Sequence, residues 1–306
     1  MNSIPELQKN MYKDLRVSIG GVRIKVSTLQ KDLSFSLTNV HSKYLINEVK
    51  EDISLEYMTG EMPALSAMKK LFESGGVWSL YENGSHGYLI SFNSPMFGNE
   101  PYKVAYFNGD FSLGKVVLRK NVNGKIVNNV EVVNPFDYPL DELMMVNHLS
   151  IRKGIIIHGC FLNDSGKGLL FSGTSGAGKS TMATIWKENN CGTIFTDERV
   201  IIREQADGAL IAYGTPWHGT AGIDLPESSS IDKIFFLKHA SENKAELIGS
   251  SDSFSRLVVR SFPTFWSSTG MECTLSLISN IISSVPSYEL GFLPDGKVID
   301  YVRSLY

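Results

Sequence analysis

The sequence predicts an α/β protein in two parts. A β-rich N-terminal domain is expected over residues 1–138, and a C-terminal domain with a mixed sheet and a phosphate-binding loop over residues 139–306. Three observations lead there. The chain has 306 residues, 42% hydrophobic and 20% charged, more than one ordinary domain needs. Short aromatic and β-branched runs fill the first part, and runs with helical spacing gather from Pro139 onward. A glycine-rich octapeptide at 173–180 stands between a strand-like and a helix-like segment.

Charge and cysteine usage narrow the classes. Lys+Arg 29 against Asp+Glu 32 gives a net charge of -3, which argues against a surface built to coat nucleic acid or an anionic membrane. Cys160, Cys191 and Cys273 are widely spaced and odd in number, so no disulfide framework and no zinc or redox pair is expected. They read as small buried hydrophobes in a reducing compartment. Residues 1–15 lack the apolar core of a secretion signal, and no apolar run approaches the roughly 20 residues that span a bilayer. The expectation is a cytoplasmic protein with neither a membrane nor a nucleic-acid partner; a homo-oligomer is left open.

In the N-terminal part, residues 17–26, 34–37, 78–81, 87–92, 103–107 and 115–119 read as strands. Glu82-Asn83-Gly84 and Asn123-Gly124 are turn signals between antiparallel pairs. Residues 63–73 read as a helix that Gly75-Gly76 stops. No catalytic motif appears here, and a scaffold or recognition role is expected. Beyond Pro139, Leu140, Leu143, Met144, Asn147 and His148 begin a helix expected to end near Lys153-Gly154. Ile155-Ile156-Ile157 and Leu169-Leu170-Phe171 are expected to form a hairpin across the 163–168 turn. Strands follow at 194–195, 200–202, 209–213 and 233–237, and helices at 254–260, 273–283 and 298–303. The serine clusters 228–230 and 250–251 read as exposed loops.

Gly173, Thr174, Ser175, Gly176, Ala177, Gly178, Lys179 and Ser180 fit G-x-x-x-x-G-K-[ST] in full. Glycines let the backbone turn its N–H groups inward around an anion, and a helix starting near Lys179 adds its positive dipole end. Lys179 suits the β- and γ-phosphates of ATP, and the Ser180 hydroxyl suits Mg²⁺. Eighteen residues beyond Lys179, Asp197 and Glu198 follow the apolar Ile194-Phe195. Paired carboxylates at a strand end suit metal support and proton acceptance, although a solvated turn would read the same.

Ile157-His158-Gly159, residues 168–181 and Asp197-Glu198-Arg199-Val200 together resemble the core of the HPr kinase/phosphorylase group. That group shares its P-loop core with the phosphoenolpyruvate carboxykinases. His158 lies 21 residues before Lys179, close to the group's spacing. The resemblance covers residues 139–306 and is strongest over 154–203. It extends to HPr-kinase-like proteins of peptide-modification cassettes, such as lasso-peptide kinases, through the β-rich first part, residues 285–290 and Pro294-Asp295-Gly296.

The resemblance implies an HPr-kinase/carboxykinase-like C-terminal domain whose ATP site runs from Gly173 to Thr181. It implies that Asp197 takes the proton of the acceptor hydroxyl, that Glu198 supports Mg²⁺ with Ser180, and that His158 orients the pair or the substrate. Glu198 stands where the group usually has a second Asp, and the group's downstream signature is not recognisable.

The expected activity is transfer of the γ-phosphate of Mg-ATP to a hydroxyl, with a serine of a protein or peptide implied by the resemblance. Its rivals are a small-molecule kinase of the same fold and a nucleotide-binding switch with little catalysis. The 214–219 segment, with Trp217 and His218, reads equally as a site loop or a turn. Arg256 and Arg260 fall one helical turn apart, where ion pairing is favoured over contact with a phosphoryl group.

Overall fold

A computed structural model of the protein describes residues 11–120 and 132–306, so the Asn123-Gly124 turn lies outside the described residues. The chain divides into two compact units. One runs through His148 apart from residues 19–21; the other comprises Ile19–Gly21 and Leu149–Tyr306.

The first unit carries β1 (Asp14–Ile19), β2 (Val22–Ser27), β3 (Ser34–Phe35), α1 (Asn39–Ser42), β4 (Ile53–Gly60), β5 (Lys70–Glu73), β6 (Trp78–Asn83), β7 (Gly87–Phe92), β8 (Lys103–Asn108), β9 (Leu113–Arg119), β10 (Val132–Val133) and α2 (Leu140–Ser150). Eight strands form one sheet in the order β1-β2-β4-β9-β8-β7-β6-β5. β2, β4 and β9 are parallel, and β9 through β5 form an antiparallel meander. Alternation decides which face is buried. Val22, Ile24 and Val26 of β2 are buried, while Arg23, Lys25 and Ser27 between them are not.

Several sequence expectations change here. Residues 17–26 are two strands rather than one, turning at Gly20 (φ 58) and Gly21 (φ 70). Residues 63–73 are not a helix. They form a single 3₁₀ turn at Leu65–Ala67 and then β5, in which Lys70 pairs with Tyr81 and Phe72 with Leu80. Ladder pairing with β6 outweighs a local helical pattern, as tertiary context often does. Gly75 (φ 55) and Gly76 (φ 94) therefore turn a hairpin instead of stopping a helix.

The second unit carries β11 (Gly154–Asp164), β12 (Lys167–Ser172), α3 (Lys179–Glu188), β13 (Thr193–Thr196), β14 (Arg199–Glu204), β15 (Leu210–Tyr213), β16 (Ser228–Ser230), β17 (Lys233–His239), β18 (Lys244–Leu247), α4 (Ser250–Val258), α5 (Ser268–Ser284), β19 (Ser287–Phe292) and α6 (Lys297–Arg303). Its mixed sheet has the order β16-β15-β14-β11-β12-β17-β19-β18, with β13 also paired to β11. β12, β17 and β19 are parallel; the other pairs are antiparallel.

Helices cover both faces, so the central strands are apolar throughout. Leu169, Phe171, Phe235 and Leu237 pack with Met182 and Trp186 of α3 and Val298 of α6. Leu170, Ile234 and Phe236 face the other way, with Leu257 of α4 and Leu277, Ile278 and Ile281 of α5. Full burial of one such side chain contributes about 1.5–3 kcal/mol. The predicted β11–β12 hairpin turns at Ser165 (φ 55) and Gly166 (φ 85), the two left-handed residues that a tight hairpin requires.

Four further corrections concern this part of the chain. α2 ends at Ser150, and Lys153 (φ 51) then redirects the chain into β11. Ser228–Ser230 is an edge strand, and Ser250 and Ser251 open α4. Neither serine cluster is a loop. Of the three cysteines only Cys160 is buried; Cys191 and Cys273 are half-buried. Among the described residues no helix is long and apolar enough to cross a membrane.

Candidate functional site

β12 delivers the chain to the glycine-rich loop. Its last residue, Ser172, donates its hydroxyl to the His158 carbonyl at 2.8 Å, which ties β12 to β11 at the site. Gly176 (φ 79) and Gly178 (φ 103) adopt left-handed backbone. A Cβ at Gly178 would also come within 2.6 Å of the Phe292 ring, so conformation and packing both demand glycine. The Ala177 N–H donates to the Thr174 carbonyl at 3.1 Å. Among the described residues, the N–H groups of Ser175, Gly176 and Gly178 have no protein acceptor.

α3 starts at Lys179, in line with the sequence. The side chain is 6% exposed, and its Nζ donates to the carbonyls of Gly173 and Thr174, both at 3.1 Å. Burial pulls the Lys179 ammonium below its ordinary pKa; Glu198 opposes this, and Arg260 and Arg199 reinforce it. At the tip of the loop, His239 Nε2 lies 2.8 Å from the Gly176 carbonyl.

β11 positions the second half of the site. It pairs with β14 up to His158↔Arg199, then shifts register at Phe161/Leu162 and pairs with β13 from Phe161↔Thr196. Asp197 and Glu198 occupy the corner between β13 and β14, and the Gly159 N–H donates to the Glu198 carbonyl at 3.1 Å. His158 and the acidic pair, 39 residues apart in sequence at Asp197, thus become neighbours. His158 Nδ1 lies 3.3 Å from Glu198 Oε1 and 2.9 Å from Arg199 Nη1. Arg199 Nη1 also donates to Glu198 Oε1 at 2.5 Å, and its guanidinium lies over the Phe262 ring. Burial, then Lys179, lowers the His158 pKa; Glu198 opposes, and Arg199 and Arg260 add to the lowering. The ring is therefore neutral near pH 7.

The two carboxylates differ sharply. Asp197 is 0% exposed. Its Oδ1 accepts the N–H of Gly219 at 2.9 Å and of Ile223 at 3.4 Å, and its Oδ2 accepts the N–H of Ala221 at 2.8 Å. Glu198 is half-buried, with Oε1 held by Arg199, whose Nη1 also lies 2.9 Å from His158 Nδ1. The sequence did not single out residues 220–223; their one legible signal is Gly222, three residues beyond Gly219, which ends the weighed 214–219 segment.

Of the two arginines singled out from sequence, Arg256 pairs with Asp252 at 2.9 Å and Glu289 at 2.7 Å. Arg260 donates Nη1 to the Arg256 carbonyl at 2.7 Å, and its own carbonyl accepts the His158 N–H at 2.7 Å. Burial, then Arg256, lowers the Arg260 pKa.

Among the described residues, no group of three or more His, Cys, Asp or Glu side chains is arranged to hold a metal ion. The Ser180 hydroxyl, at the start of α3, is a hard oxygen donor of the kind that Mg²⁺ takes. The loop suits an anion, because its unpaired N–H groups and a buried ammonium converge there.

No protein-family model matches the chain, and no curated protein matches it. Among solved structures, the chain is similar to the HPr(Ser) kinase/phosphatase from Coxiella burnetii, with 13% identity and a TM-score of 0.30, over 49% of this chain and 95% of that one. The class that the fold itself defines is a mixed α/β protein with a strand–glycine loop–helix unit. The functional case rests on the residues of the site.

Proposed function

We propose that the protein is a Mg-ATP-dependent phosphotransferase that passes the γ-phosphate to a hydroxyl, a serine of a protein or peptide. One observation carries this reading. Buried Lys179 sits at the base of a loop with unpaired N–H groups, and its charge bears on His158 in the His158–Glu198–Arg199 cluster.

In this reading Gly173 to Thr181 bind the phosphates. The loop N–H groups and the α3 end attract the anion, and Lys179 exchanges its two carbonyl acceptors for phosphate oxygens. Ser180, with the nucleotide's own oxygens, would hold Mg²⁺, which supplies charge neutralisation at the transferring group; Glu198, the metal residue that the resemblance implies, is taken as the base instead. Glu198, the open carboxylate, accepts the proton of the attacking hydroxyl, while Arg199, which also reaches His158 Nδ1, fixes its Oε1. The first unit reads the acceptor. It bears an open cleft of about 630 Å³ lined by Glu61, Met62, Leu65, Glu100, Arg119 and Lys120 among others, room for a segment of polypeptide.

The test is incubation with labelled ATP, Mg²⁺ and the polypeptides encoded beside this protein, followed by mass spectrometry. A gain of one phosphate on a serine is expected. Normal ATP binding by Lys179→Ala in calorimetry would sink the loop assignment, and absence of transfer to every candidate would sink the kinase reading.

A further inference from the structure

The sequence suggested Asp197 as the group that meets the acceptor, yet a proton acceptor must come within roughly 2.6–3.2 Å of the proton it takes. Asp197 has no exposed surface in this structure, whereas the Glu198 carboxylate beside it is partly open. A buried carboxylate is also costly unless hydrogen bonds satisfy it. Asp197 meets that demand with main-chain groups alone: the N–H groups of Gly219, Ala221 and Ile223, alternate residues of one loop that turns at Thr220-Ala221, where the Gly222 N–H donates to the Gly219 carbonyl at 3.2 Å. Each is a charge-assisted bond, stronger than a neutral one.

The flanks of that stretch are fastened too. The Thr215 hydroxyl donates to the Arg199 carbonyl at 2.6 Å, and the Leu225 N–H donates to the Phe195 carbonyl at 2.8 Å. A Cβ at Gly214 would lie 2.0 Å from the Leu225 carbonyl oxygen, so the two ends of the segment touch. What remains outward is His218, Thr220 and Gly222, all exposed. Gly219 lies between the two carboxylates: a Cβ there would come 2.8 Å from Asp197 Oδ2 and 3.1 Å from Glu198 Oε2.

We propose that Asp197 is a positioning residue, which holds segment 214–223 as the wall of the acceptor site, and that Gly219 sets the room beside Glu198. The word acceptor rests on the phosphotransfer reading; the anchoring does not.

Amide hydrogen exchange tests the anchoring without any need for activity. In the wild-type protein the amides of Gly219, Ala221 and Ile223 are expected to be protected. Asp197→Asn turns an acceptor oxygen into a donor, and exchange at these amides should rise at least about tenfold. Glu198→Gln should leave them protected. Unchanged protection in Asp197→Asn overturns the proposal. If Asp197→Asn does not fold, Gly219→Ala reports from the other side. It should release residues 219–223 while ATP still binds, and unchanged exchange there also overturns the proposal.

A pH–rate profile separates positioning from proton transfer. With water as acceptor, Mg-ATP hydrolysis by Asp197→Asn should slow but keep the acid limb of the wild type. Loss of that limb, with the three amides still protected, would make Asp197 the base and overturn the proposal. A wild-type protein that transfers no phosphate at all would refute the kinase reading and leave the exchange result standing.

Discussion

Two glycine-bearing loops of the second unit use the same chemical group in opposite ways. Residues 219–223 donate three main-chain N–H groups to a carboxylate of their own chain. Residues 173–178 leave the N–H groups of Ser175, Gly176 and Gly178 without a protein acceptor among the described residues, beside a buried ammonium. The first loop has its anion in the buried Asp197. In the second, Ser175 and Gly176 are exposed, so their N–H groups are open to an external anion in place of water. Glycine content alone does not distinguish them. The location of the anion does.

The largest expected effect tests the division of labour between the paired carboxylates. Glu198→Gln should lower phosphotransfer by about 10²–10⁴-fold, the range of a lost general base, with ATP affinity little changed in calorimetry. A variant with undiminished turnover would erase the contrast between the open and the buried carboxylate.

Next in size is Lys179→Ala. It should weaken ATP by about 100-fold, or roughly 3 kcal/mol, the scale of charge-assisted bonds lost to a phosphate. Exchange at residues 219–223 should not change, since the second loop already has its anion.

Gly178→Ala should weaken ATP by about tenfold, because a left-handed non-glycine residue costs about 1–3 kcal/mol and the new Cβ meets the Phe292 ring. Retained affinity would show that the loop tolerates reshaping and sharpen the role of Lys179 instead.

The smallest effect concerns pH. Folding lowers the His158 pKa from its ordinary 6.5, chiefly through burial. Between the two values the unfolded chain binds more protons on this ring than the folded one. The contribution to stability is therefore fully present above about pH 6.5 and is lost as pH falls through the folded value. Between about pH 7 and 5, the wild type should lose more melting temperature than His158→Asn; equal losses would remove His158 from the site's electrostatics.

Much of the second unit was legible from sequence because local and tertiary demands agree there. The 163–168 turn carries Ser165 and Gly166 at left-handed positions, and α3 follows its loop as the motif requires. The first unit was less legible: residues 63–73 have a helical pattern, but Lys70–Glu73 pair with β6. In the second unit, the edge strand Ser228–Ser230 has no apolar alternation to announce it. Pairing of that kind depends on a distant partner strand, which local periodicity does not encode.

The sequence by itself determined the glycine loop, its flanking strand and helix, and the identity of Lys179, His158, Asp197 and Glu198 as the residues worth watching. The reason is physical: left-handed turns, helix starts and apolar alternation are written in adjacent residues. Only the tertiary structure decided which carboxylate faces outward. Asp197 and Glu198 are neighbours in the chain, but the β13–β14 corner turns one into a cage of three N–H groups and leaves the other beside His158 and Arg199. That choice depends on residues 219–223 folding back across the corner.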